Sequence, residues 1–390
     1  MKRLIGLGAF VVASSACAQS GVTLYGIADA GLTYSTNAKG AHQYALTSGN
    51  EGAGRWGLSG VEDLGGGLKT VFTLEAGYNI ANGTIGQNGT EFGRQAFVGM
   101  SGGYGTLTLG RQYASSTNFV GPFESGNDWA ASGATYGAHP ADLDNLDNSN
   151  RINNAIKFQS FKYAGFSFGG LYSLGGKAGG FTQNQIWSLG AGYANGPFNF
   201  GVGYLQAKSP NFSLWGNKAN DSGTGPNMAS PVISGYATAA SQQVIAAGGS
   251  YALGAVIIGA VYSNTKFKDL GSTTVAGLAA AQAAYRGTAT FNSGELNLKF
   301  QVTPTLLLAA AYSYTKGSGV GAQSGAHYQQ INVGADYFLS KRTDLYAIAV
   351  HQNAFGTDST GNQAVAAISG ASPSSSNAQT LVTAGIRHKF

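Results

Sequence analysis

An alternation of apolar with small or polar residues runs through most of this chain and constrains its fold more than any other feature. In residues 166–172, Phe166, Phe168 and Tyr172 fall on one face of an extended strand, while Ser167 falls on the other. A repeat of two is typical of a β-strand with one apolar face. The pattern recurs in three further segments, residues 68–78, 198–204 and 306–314. The sequence therefore predicts an all-β protein.

The second face of these strands carries Gly, Ser, Thr, Asn and charged residues. A soluble β-sandwich needs bulky side chains on its inner face to fill a core, whereas a transmembrane barrel around a water-filled lumen needs apolar side chains only towards lipid. Beyond the amino terminus, the sequence has no run of about 18 apolar residues that would predict a transmembrane helix. We therefore expect a barrel, with a soluble sandwich as the alternative.

Short and long connections alternate along the chain, and their number gives the strand count. Seven tight turns are expected at residues 63–67, 102–105, 164–165, 195–197, 253–254, 303–304 and 340–343. Eight longer connections are expected at residues 35–51, 79–91, 113–150, 175–185, 207–240, 266–287, 316–326 and 354–377. Barrels of the outer membrane have even strand numbers and short periplasmic turns, and those with 16 to 18 strands enclose water. The prediction is a 16-stranded antiparallel transmembrane β-barrel, a single domain over residues 19–390.

The amino terminus predicts export from the cytoplasm. Lys2 and Arg3 precede an apolar stretch at residues 4–13, and small residues lead to a cleavage site after Ala18, so residues 1–18 read as a cleaved signal peptide. Loss of Lys2 and Arg3 lowers the formal charge from +5 to +3. This mild charge, without basic runs, gives no reason to expect a nucleic-acid partner.

Cys17 is the one cysteine of the chain and allows a second interpretation, lipoprotein processing. Ser14, however, stands where such motifs usually carry leucine. Cleavage after Ala18 removes the thiol, which suits passage through an oxidising periplasm and leaves no thiolate for a metal.

Two patterns that could indicate chemistry are weak in this chain. Residues 99–103 match the G-x-S-x-G elbow of hydrolases, but that motif needs a strand-to-helix turn, and Ser101 falls between two predicted strands. The five histidines are scattered without the spacing of metal ligands. We therefore expect no enzyme activity, no cofactor and no metal site.

Five motifs together are similar to a known family, and they lie at residues 22–26 (VTLYG), 55–67 (RWGLSGVEDLGGG), 92–99 (FGRQAFVG), 109–113 (LGRQY) and 387–390 (RHKF). The chain resembles the general diffusion porins of Gram-negative outer membranes, especially the β-proteobacterial branch, over the whole length that follows the signal peptide. The resemblance implies a homotrimer of 16-stranded barrels in the outer membrane. Each barrel would hold a water-filled pore, narrowed by an inward-folded third loop, through which small hydrophilic solutes and ions diffuse passively.

The longest connection, residues 113–150, is the predicted constriction loop. It carries five carboxylates and no lysine or arginine; the acids are Glu124, Asp128, Asp142, Asp144 and Asp147. An acidic loop on the solvated surface is the alternative. Opposite charges on the barrel wall would set a transverse field across a narrow pore.

Alternation places Arg55, Glu75 and Arg94 towards the lumen. Arg111 shares the parity of Leu109 and would face lipid, where an arginine at the midplane costs about 2–4 kcal/mol. A β-bulge at Gly110 would turn it inward.

The resemblance implies that four arginines form the basic wall of the constriction: Arg55, Arg94, Arg111 and Arg151. Glu124 and Asp128 would stand on the acidic side, with Glu75 flanking. A salt bridge that anchors the loop is the alternative role for each arginine. We expect a weak preference for anions, because the arginines are fixed to strands.

The chain ends on Phe390, after an alternating strand. This ending resembles the signal read by the barrel-assembly machinery, although an ordinary terminal side chain is the alternative. The remaining expected partners are outer-membrane lipid and lipopolysaccharide. A substrate-specific channel, and an adhesin or barrel enzyme acting through its long loops, are the competing functions.

Overall fold

The computed structural model describes residues 21–321 and 324–390, so the predicted signal peptide lies outside the described residues. The described chain is built from seventeen strands and short helices. The strands are β1 (Gly21–Ala38), β2 (Ala41–Ser48), β3 (Arg55–Gly65), β4 (Leu68–Gly77), β5 (Gln95–Gly102), β6 (Gly105–Gln112), β7 (Ile152–Ser160), β8 (Phe166–Ser173), β9 (Ile186–Asn195), β10 (Phe198–Lys208), β11 (Ser241–Leu253), β12 (Val256–Leu270), β13 (Gly287–Thr303), β14 (Leu306–Gly317), β15 (Ala326–Phe338), β16 (Thr343–Gly356) and β17 (Ala378–Lys389).

The helices are all short and lie in the connections. They are α1 (Gly86–Gly89), α2 (Ser115–Val120), α3 (Ser125–Asp128), α4 (Pro210–Ser213) and α5 (Ala280–Ala283), with 3₁₀ turns at Gly121–Phe123, Pro140–Asp142 and Ser234–Tyr236. Within residues 21–321 and 324–390, no helix combines the length and the apolar character needed to cross a membrane.

The sheet closes on itself through antiparallel pairing of the first and last strands. Ile27 lies opposite Lys389, and the register continues to Ser35 opposite Leu381. On its other side, β1 pairs with β2 at one end and with β3 at the other. The strands β2 and β3 are therefore two pieces of one strand position, interrupted at residues 49–54. Counted in this way, the structure confirms the predicted closed 16-stranded antiparallel barrel.

The prediction of a long loop at residues 35–51 is wrong. The strands β1 and β2 continue through most of this segment and turn tightly at Lys39 and Gly40. Tyr44 and Leu46 continue the lipid-facing alternation, with 81% and 57% of their surfaces exposed. The polar residues of this segment suggested a loop, but the pairing of β2 with β1 satisfies its backbone and keeps it extended.

The other connections follow the predicted alternation of lengths. In the described chain, seven short turns join β3 to β4, β5 to β6, β7 to β8, β9 to β10, β11 to β12, β13 to β14, and β15 to β16. The long connections meet at the opposite end of the barrel, and the longest lies between β6 and β7. Side chains on one face of the strands, such as Leu109 and Ile258, are exposed, while their neighbours point into the barrel.

The connection between β6 and β7 contacts side chains that point into the barrel. The Nε2 group of Gln330 on β15 donates to the backbone oxygen of Ala138, and Glu295 on β13 accepts from the amide of Ser125 at 2.7 Å. On the other side of the lumen, the Oγ of Ser188 on β9 accepts from the amide of Ser116. The connection is thus held against the inner faces of strands from β9 to β15.

Glycines on β9 and β10 make room for α2. A Cβ atom on Gly201 would lie 2.0 Å from the backbone oxygen of Phe119, and one on Gly190 would lie 2.3 Å from the Phe119 ring. No side chain fits at these distances. The small residues on the inner face of these strands therefore seat the helix as well as widening the lumen.

Candidate functional site: a basic cavity in the lumen

A cavity of about 620 Å³ lies between the barrel wall and the β6–β7 connection, near the long-connection end. Four basic side chains line it, and they are Arg55, Arg94, Arg151 and Lys218. Asp147 is the one carboxylate in its lining. Burial raises the pKa of Asp147 well above its usual range, so its negative charge is weakened. The cavity wall is strongly positive.

Arg94 is fixed by a buried network that extends from the wall to the start of the loop. Its Nε donates to Glu75 Oε1 at 2.8 Å, and its Nη2 donates to the Tyr113 hydroxyl at 3.1 Å. Tyr113 and Tyr25 each donate their hydroxyl to Glu75. Glu75 is 4% exposed and does not line the cavity. It lies beside Arg94 and holds the guanidinium, whereas the sequence predicted that it flanks the acidic side of the pore.

Arg151 and Arg55 are held differently from Arg94. The Arg151 guanidinium lies over the Tyr113 ring, 5.5 Å from its centroid, and its Nη1 donates to the backbone oxygen of Ser149 at 3.3 Å. An arginine over an aromatic face is attracted by the ring quadrupole. Arg55 lies at the first position of β3, directly after the break in the strand, and forms no ion pair with the described residues. Both guanidinium groups line the cavity.

Arg111 is not in the lining of this cavity, and the expected bulge lies elsewhere. The register of β6 with β5 is unbroken through Arg111, opposite Ala96. The pairing of β6 with β7 contains a β-bulge, and its extra residue lies on β7. Gly110 lies opposite Ala155, while Gln112, two residues further along β6, lies opposite Ile152, three residues back along β7. The prediction that a bulge at Gly110 turns Arg111 into the lumen is therefore wrong.

The Arg111 guanidinium is instead covered by backbone from two long connections. It donates to the oxygens of Gly93 and Asn217, both at 2.9 Å, and to the Asn153 side chain at 2.5 Å. These bonds explain how an arginine on the outward parity is tolerated at the end of a strand. Arg111 holds these connections through neutral oxygens, and among the described residues it does not form the salt bridge that was the alternative role from the sequence.

Glu124 lies inside the β6–β7 connection and is wholly buried, so its expected position on the acidic side of the pore is wrong. It accepts from the backbone amide of His139 at 2.9 Å, and the His139 ring lies between Glu124 and Asp144. Burial raises the pKa of Glu124 well above its usual range, in spite of the opposing effect of His139.

His139 is the centre of this buried group. Burial disfavours its protonation, but the carboxylates of Asp144 and Glu124 raise the pKa of His139 to about 10. The Nδ1 atom lies 2.7 Å from Asp144 Oδ2. Ligand atoms of the three side chains lie within 4.8 Å of one another, close enough to hold a metal ion. A buried imidazolium between two carboxylates accounts for the same geometry.

Asp128 forms an ion pair with Lys299 on β13, and both side chains are partly exposed. It does not line the basic cavity. Of the acids expected on the acidic side, one is buried and the other is paired with a lysine. Neither acid therefore faces the arginines across the basic cavity.

A family comparison agrees with this architecture. The chain matches the model of the Gram-negative porin family over residues 6–357. The chain belongs to the Gram-negative porins. It forms a water-filled channel of the outer membrane through which small hydrophilic solutes and ions diffuse passively, as the sequence predicted.

Individual relatives support the same assignment of this porin. It is 30% identical to outer membrane porin protein 32 of Delftia acidovorans, over 100% of this chain and 99% of that protein. It is 29% identical to an outer membrane porin protein of Bordetella pertussis, over 97% and 96% of the two chains. The structure of an anion-selective porin from Comamonas acidovorans superposes with a TM-score of 0.69 at 25% identity, over 95% of this chain and all of that chain. A trimer form of OmpT from Vibrio cholerae, 13% identical with a TM-score of 0.63 and matched over 95% of this chain and 99% of its own, shares the fold.

A second cavity of this porin, about 550 Å³ in volume, lies nearer the short turns and includes Lys162 and Asn199 in its lining. Tyr113, Asn127 and Asn148 line both cavities. The two spaces therefore meet at these three side chains. Asn127 and Asn148 belong to the β6–β7 connection. No pattern in the sequence of this connection predicts that their side chains lie where the two cavities meet.

Lys218 is the basic residue that sequence reasoning missed. It lies in the connection between β10 and β11, where no alternation predicts the direction of a side chain. The connection is fastened to the one between β4 and β5, because Asn88 donates to Asp221 at 2.8 Å and Asn220 donates to the Asn88 oxygen at 2.7 Å. This contact between distant segments brings Lys218 to the cavity.

Proposed function

We propose that the basic cavity is the selectivity-determining constriction of this porin and that it favours anions. The observation that carries the proposal is the lining of the cavity, in which four basic side chains face one carboxylate, Asp147. Fixed charges of one sign along a narrow aqueous passage raise the local concentration of ions of the opposite sign. No bond is made or broken, so transport follows the concentration gradient.

The acids near the cavity do little to cancel this charge. Asp128 is paired with Lys299, and Glu124 lies buried beside His139. Glu75 neutralises Arg94 in part, but Arg55, Arg151 and Lys218 form no ion pair with a carboxylate among the described residues. The anion-selective porin from Comamonas acidovorans, 25% identical, supports the same sign of selectivity.

The test is the zero-current potential across a planar bilayer under a salt gradient, at low ionic strength where screening is weak. The parent channel is compared with Arg55→Gln combined with Lys218→Gln. The control is Lys341→Gln combined with Lys389→Gln, which removes the same charge from exposed lysines near the short-turn end. We expect an anion-selective parent, a loss of that selectivity in the cavity variant and none in the control. A cation-selective parent, or equal potentials in all three channels, would contradict the proposal.

We also propose that the protein is exported by a cleaved signal peptide over residues 1–18 and works as a homotrimer. The charged and apolar regions before Ala18 support the first part. The family and the trimer form of the Vibrio cholerae protein support the second. Mass spectrometry of the protein from outer membranes would give the amino-terminal residue, and conductance in groups of three equal steps would report the trimer.

Passive diffusion through a channel needs no catalytic residue, and the surroundings of Ser101 do not form a hydrolase site. Ser101 lies in β5, beside the turn to β6, and its hydroxyl accepts from Thr106 at 3.0 Å. This is a strand-to-strand turn, and the hydrolase elbow requires a helix after the serine. We therefore propose no enzymatic role for Ser101. We expect the Ser101→Ala channel to conduct like the parent.

A further inference from the structure

The connection between β10 and β11 crosses the lumen at the long-connection end of the barrel. It leaves the wall at β10 and returns at β11, yet its residues 217–221 contact the connection between β4 and β5. With β2 and β3 counted as one position, β4 is the third strand position and β10 the ninth, so the two connections lie six positions apart out of sixteen. A segment that joins them spans the opening and does not follow the rim. We call residues 217–221 the bridging segment.

The bridging segment is fastened to the β4–β5 connection by hydrogen bonds in both directions. Asn88 Nδ2 donates to Asp221 Oδ1 at 2.8 Å, and Asn220 Nδ2 donates to the Asn88 backbone oxygen at 2.7 Å. The amide of Ala219 donates to the Thr90 hydroxyl at 3.0 Å. Three consecutive residues of the bridging segment are therefore joined to the β4–β5 connection.

The first residue of the bridging segment rests on the barrel wall. The Asn217 backbone oxygen accepts from Arg111 Nη1 at 2.9 Å, and Asn217 Nδ2 donates to the Arg151 backbone oxygen. Arg111 lies near the end of β6, and Arg151 directly precedes β7. The segment thus has a second support, on the side of the lumen away from β10 and β11.

The part of the connection that precedes the bridging segment is folded into the barrel. Trp215 Nε1 donates to Gln242 Oε1 at 2.9 Å, and Gln242 Nε2 donates to the Leu143 backbone oxygen at 2.8 Å. Leu214 is wholly buried and belongs to the same apolar cluster as Leu143 and Leu146 of the β6–β7 connection. Burial of these apolar side chains holds the base of the connection inside the opening.

The bridging segment borders the basic cavity. Lys218 lines the cavity, and so do Gln87 and Asn88 of the β4–β5 connection. Asp221 Oδ2 accepts from the Lys218 amide at 3.0 Å, while its Oδ1 accepts from Asn88. One carboxylate therefore holds residues on both sides of the contact. A solute that enters the basic cavity from the long-connection end passes beside this contact.

We propose that the bridging segment sets the size limit of the solutes that enter the basic cavity, and that Asp221 is the positioning residue that keeps the segment across the opening. The width of a pore decides which solutes pass, whatever their charge. Connections outside a sheet open locally more easily than its strands, so loss of the contact with Asn88 would let the segment move aside and widen the opening. The proposal concerns neutral as well as charged solutes and is independent of ion selectivity.

The test measures the entry of uncharged sugars of increasing size into liposomes that contain the full-length porin, by the rate of swelling. The variant combines Asn88→Cys with Asp221→Cys, which removes the hydrogen bond between these side chains. No cysteine follows Cys17 in the sequence, so a short bifunctional thiol reagent can join the two introduced side chains selectively. The same variant is therefore measured with the contact broken and with the contact restored.

The control combines Glu91→Cys with Thr224→Cys and receives the same reagent. Both residues are exposed and belong to the same two connections, and their side chains form no hydrogen bond within residues 21–321 and 324–390. The control also removes one carboxylate, as the variant does. Heat-modifiable mobility shows that each protein is folded, and mass spectrometry of linked peptides shows whether the thiols have been joined.

We expect the unlinked variant to raise the entry rate of a trisaccharide, relative to that of a monosaccharide, at least about threefold over the parent. Linking should return this ratio to the parent value, and the control should keep the parent ratio throughout. A parent ratio in the folded, unlinked variant would overturn the proposal. So would a raised ratio that persists after linking, because the substitutions would then act elsewhere. Failure of the reagent to join the thiols in the folded channel would contradict the contact itself.

Discussion

The Nε atom of Arg94 lies 2.8 Å from Glu75 Oε1, and this buried ion pair joins the barrel wall to the first residue of the β6–β7 connection through the Tyr113 hydroxyl. Arg94 lines the basic cavity while Glu75 lies behind it. The pair therefore tunes the charge of the cavity and fixes the start of the connection at the same time.

Replacement of Glu75 by Gln should increase anion selectivity. The substitution keeps an acceptor for Arg94 but removes one negative charge next to the cavity. A unit charge acting over about 7 Å in water shifts the energies of an anion and of a cation by about 0.6 kcal/mol each, in opposite directions, so we expect the anion-to-cation permeability ratio to rise roughly sevenfold. Zero-current potentials at low salt measure this. Glu62→Gln, at an exposed position near the short turns, is the matched control, and an equal effect of both would argue against a local field.

Gly133 allows the β6–β7 connection to dock into the break between β2 and β3. Its amide donates to the Asn50 oxygen at 3.0 Å, and a Cβ atom would lie 2.0 Å from the Gly49 oxygen and 2.1 Å from the Ala53 nitrogen. Gly133→Val should therefore undock this segment and cost about 1–3 kcal/mol. We expect a lower melting temperature of the folded barrel and noisier single-channel currents.

Gly223→Val is the control for that experiment, because a Cβ atom at Gly223 meets nothing within 4 Å. It should melt like the parent. Parent-like melting and currents in Gly133→Val would show that the connection is held without this contact.

The buried His139 predicts a loss of stability at alkaline pH. Asp144 and Glu124 outweigh burial and raise the pKa of His139 from 6.5 to about 10 in the folded protein. A raised pKa means that the imidazolium stabilises the fold fully below about pH 6.5 and loses that contribution as the pH rises to about 10. Each pKa unit corresponds to about 1.4 kcal/mol. The melting temperature should therefore fall across this range.

His139→Gln should flatten that pH profile and lower stability at neutral pH, since two buried carboxylates lose their cationic partner. His42→Gln is the control, because His42 is exposed in the β1–β2 hairpin. It should retain the parent slope. A parent whose melting temperature does not change between pH 6.5 and 10 would contradict a charged His139.

Phe390 packs against Gly26 where the barrel closes. The backbones of the two residues exchange hydrogen bonds of 3.0 Å, and a Cβ atom on Gly26 would lie 2.3 Å from the Phe390 ring. Phe390→Ala should reduce the amount of folded protein in cells if the terminal aromatic is read during assembly, whereas Phe390→Tyr should retain it. Heat-modifiable protein in outer-membrane fractions is the measurement.

Refolding in lipid vesicles without assembly factors separates the two roles of Phe390. An assembly signal predicts that Phe390→Ala refolds there with the parent yield. A large deficit in pure lipid would instead assign the ring to packing at the seam, and the prediction of an assembly signal would be wrong.

Local patterns in the sequence were sufficient for the barrel itself. The repeat of two in segments such as residues 166–172 reflects the pleat of a strand, and each tight turn is encoded by a few neighbouring residues. The strand number follows from counting such turns. The predicted number of strands is correct in spite of the wrong loop at residues 35–51, because β2 and β3 occupy one strand position.

The roles of the charged residues were decided by the tertiary structure. Glu124 meets His139, Asp128 meets Lys299, and Arg111 meets the carbonyls of Gly93 and Asn217. These partners lie up to 171 positions apart in the chain, and no local period specifies them. The sequence by itself determined which face of each strand meets lipid or water, since side-chain direction in a strand depends only on parity. Which charges remain free to act on an ion was decided by the folding of the long connections, because an ionised side chain is neutralised by whichever partner the three-dimensional path brings near it.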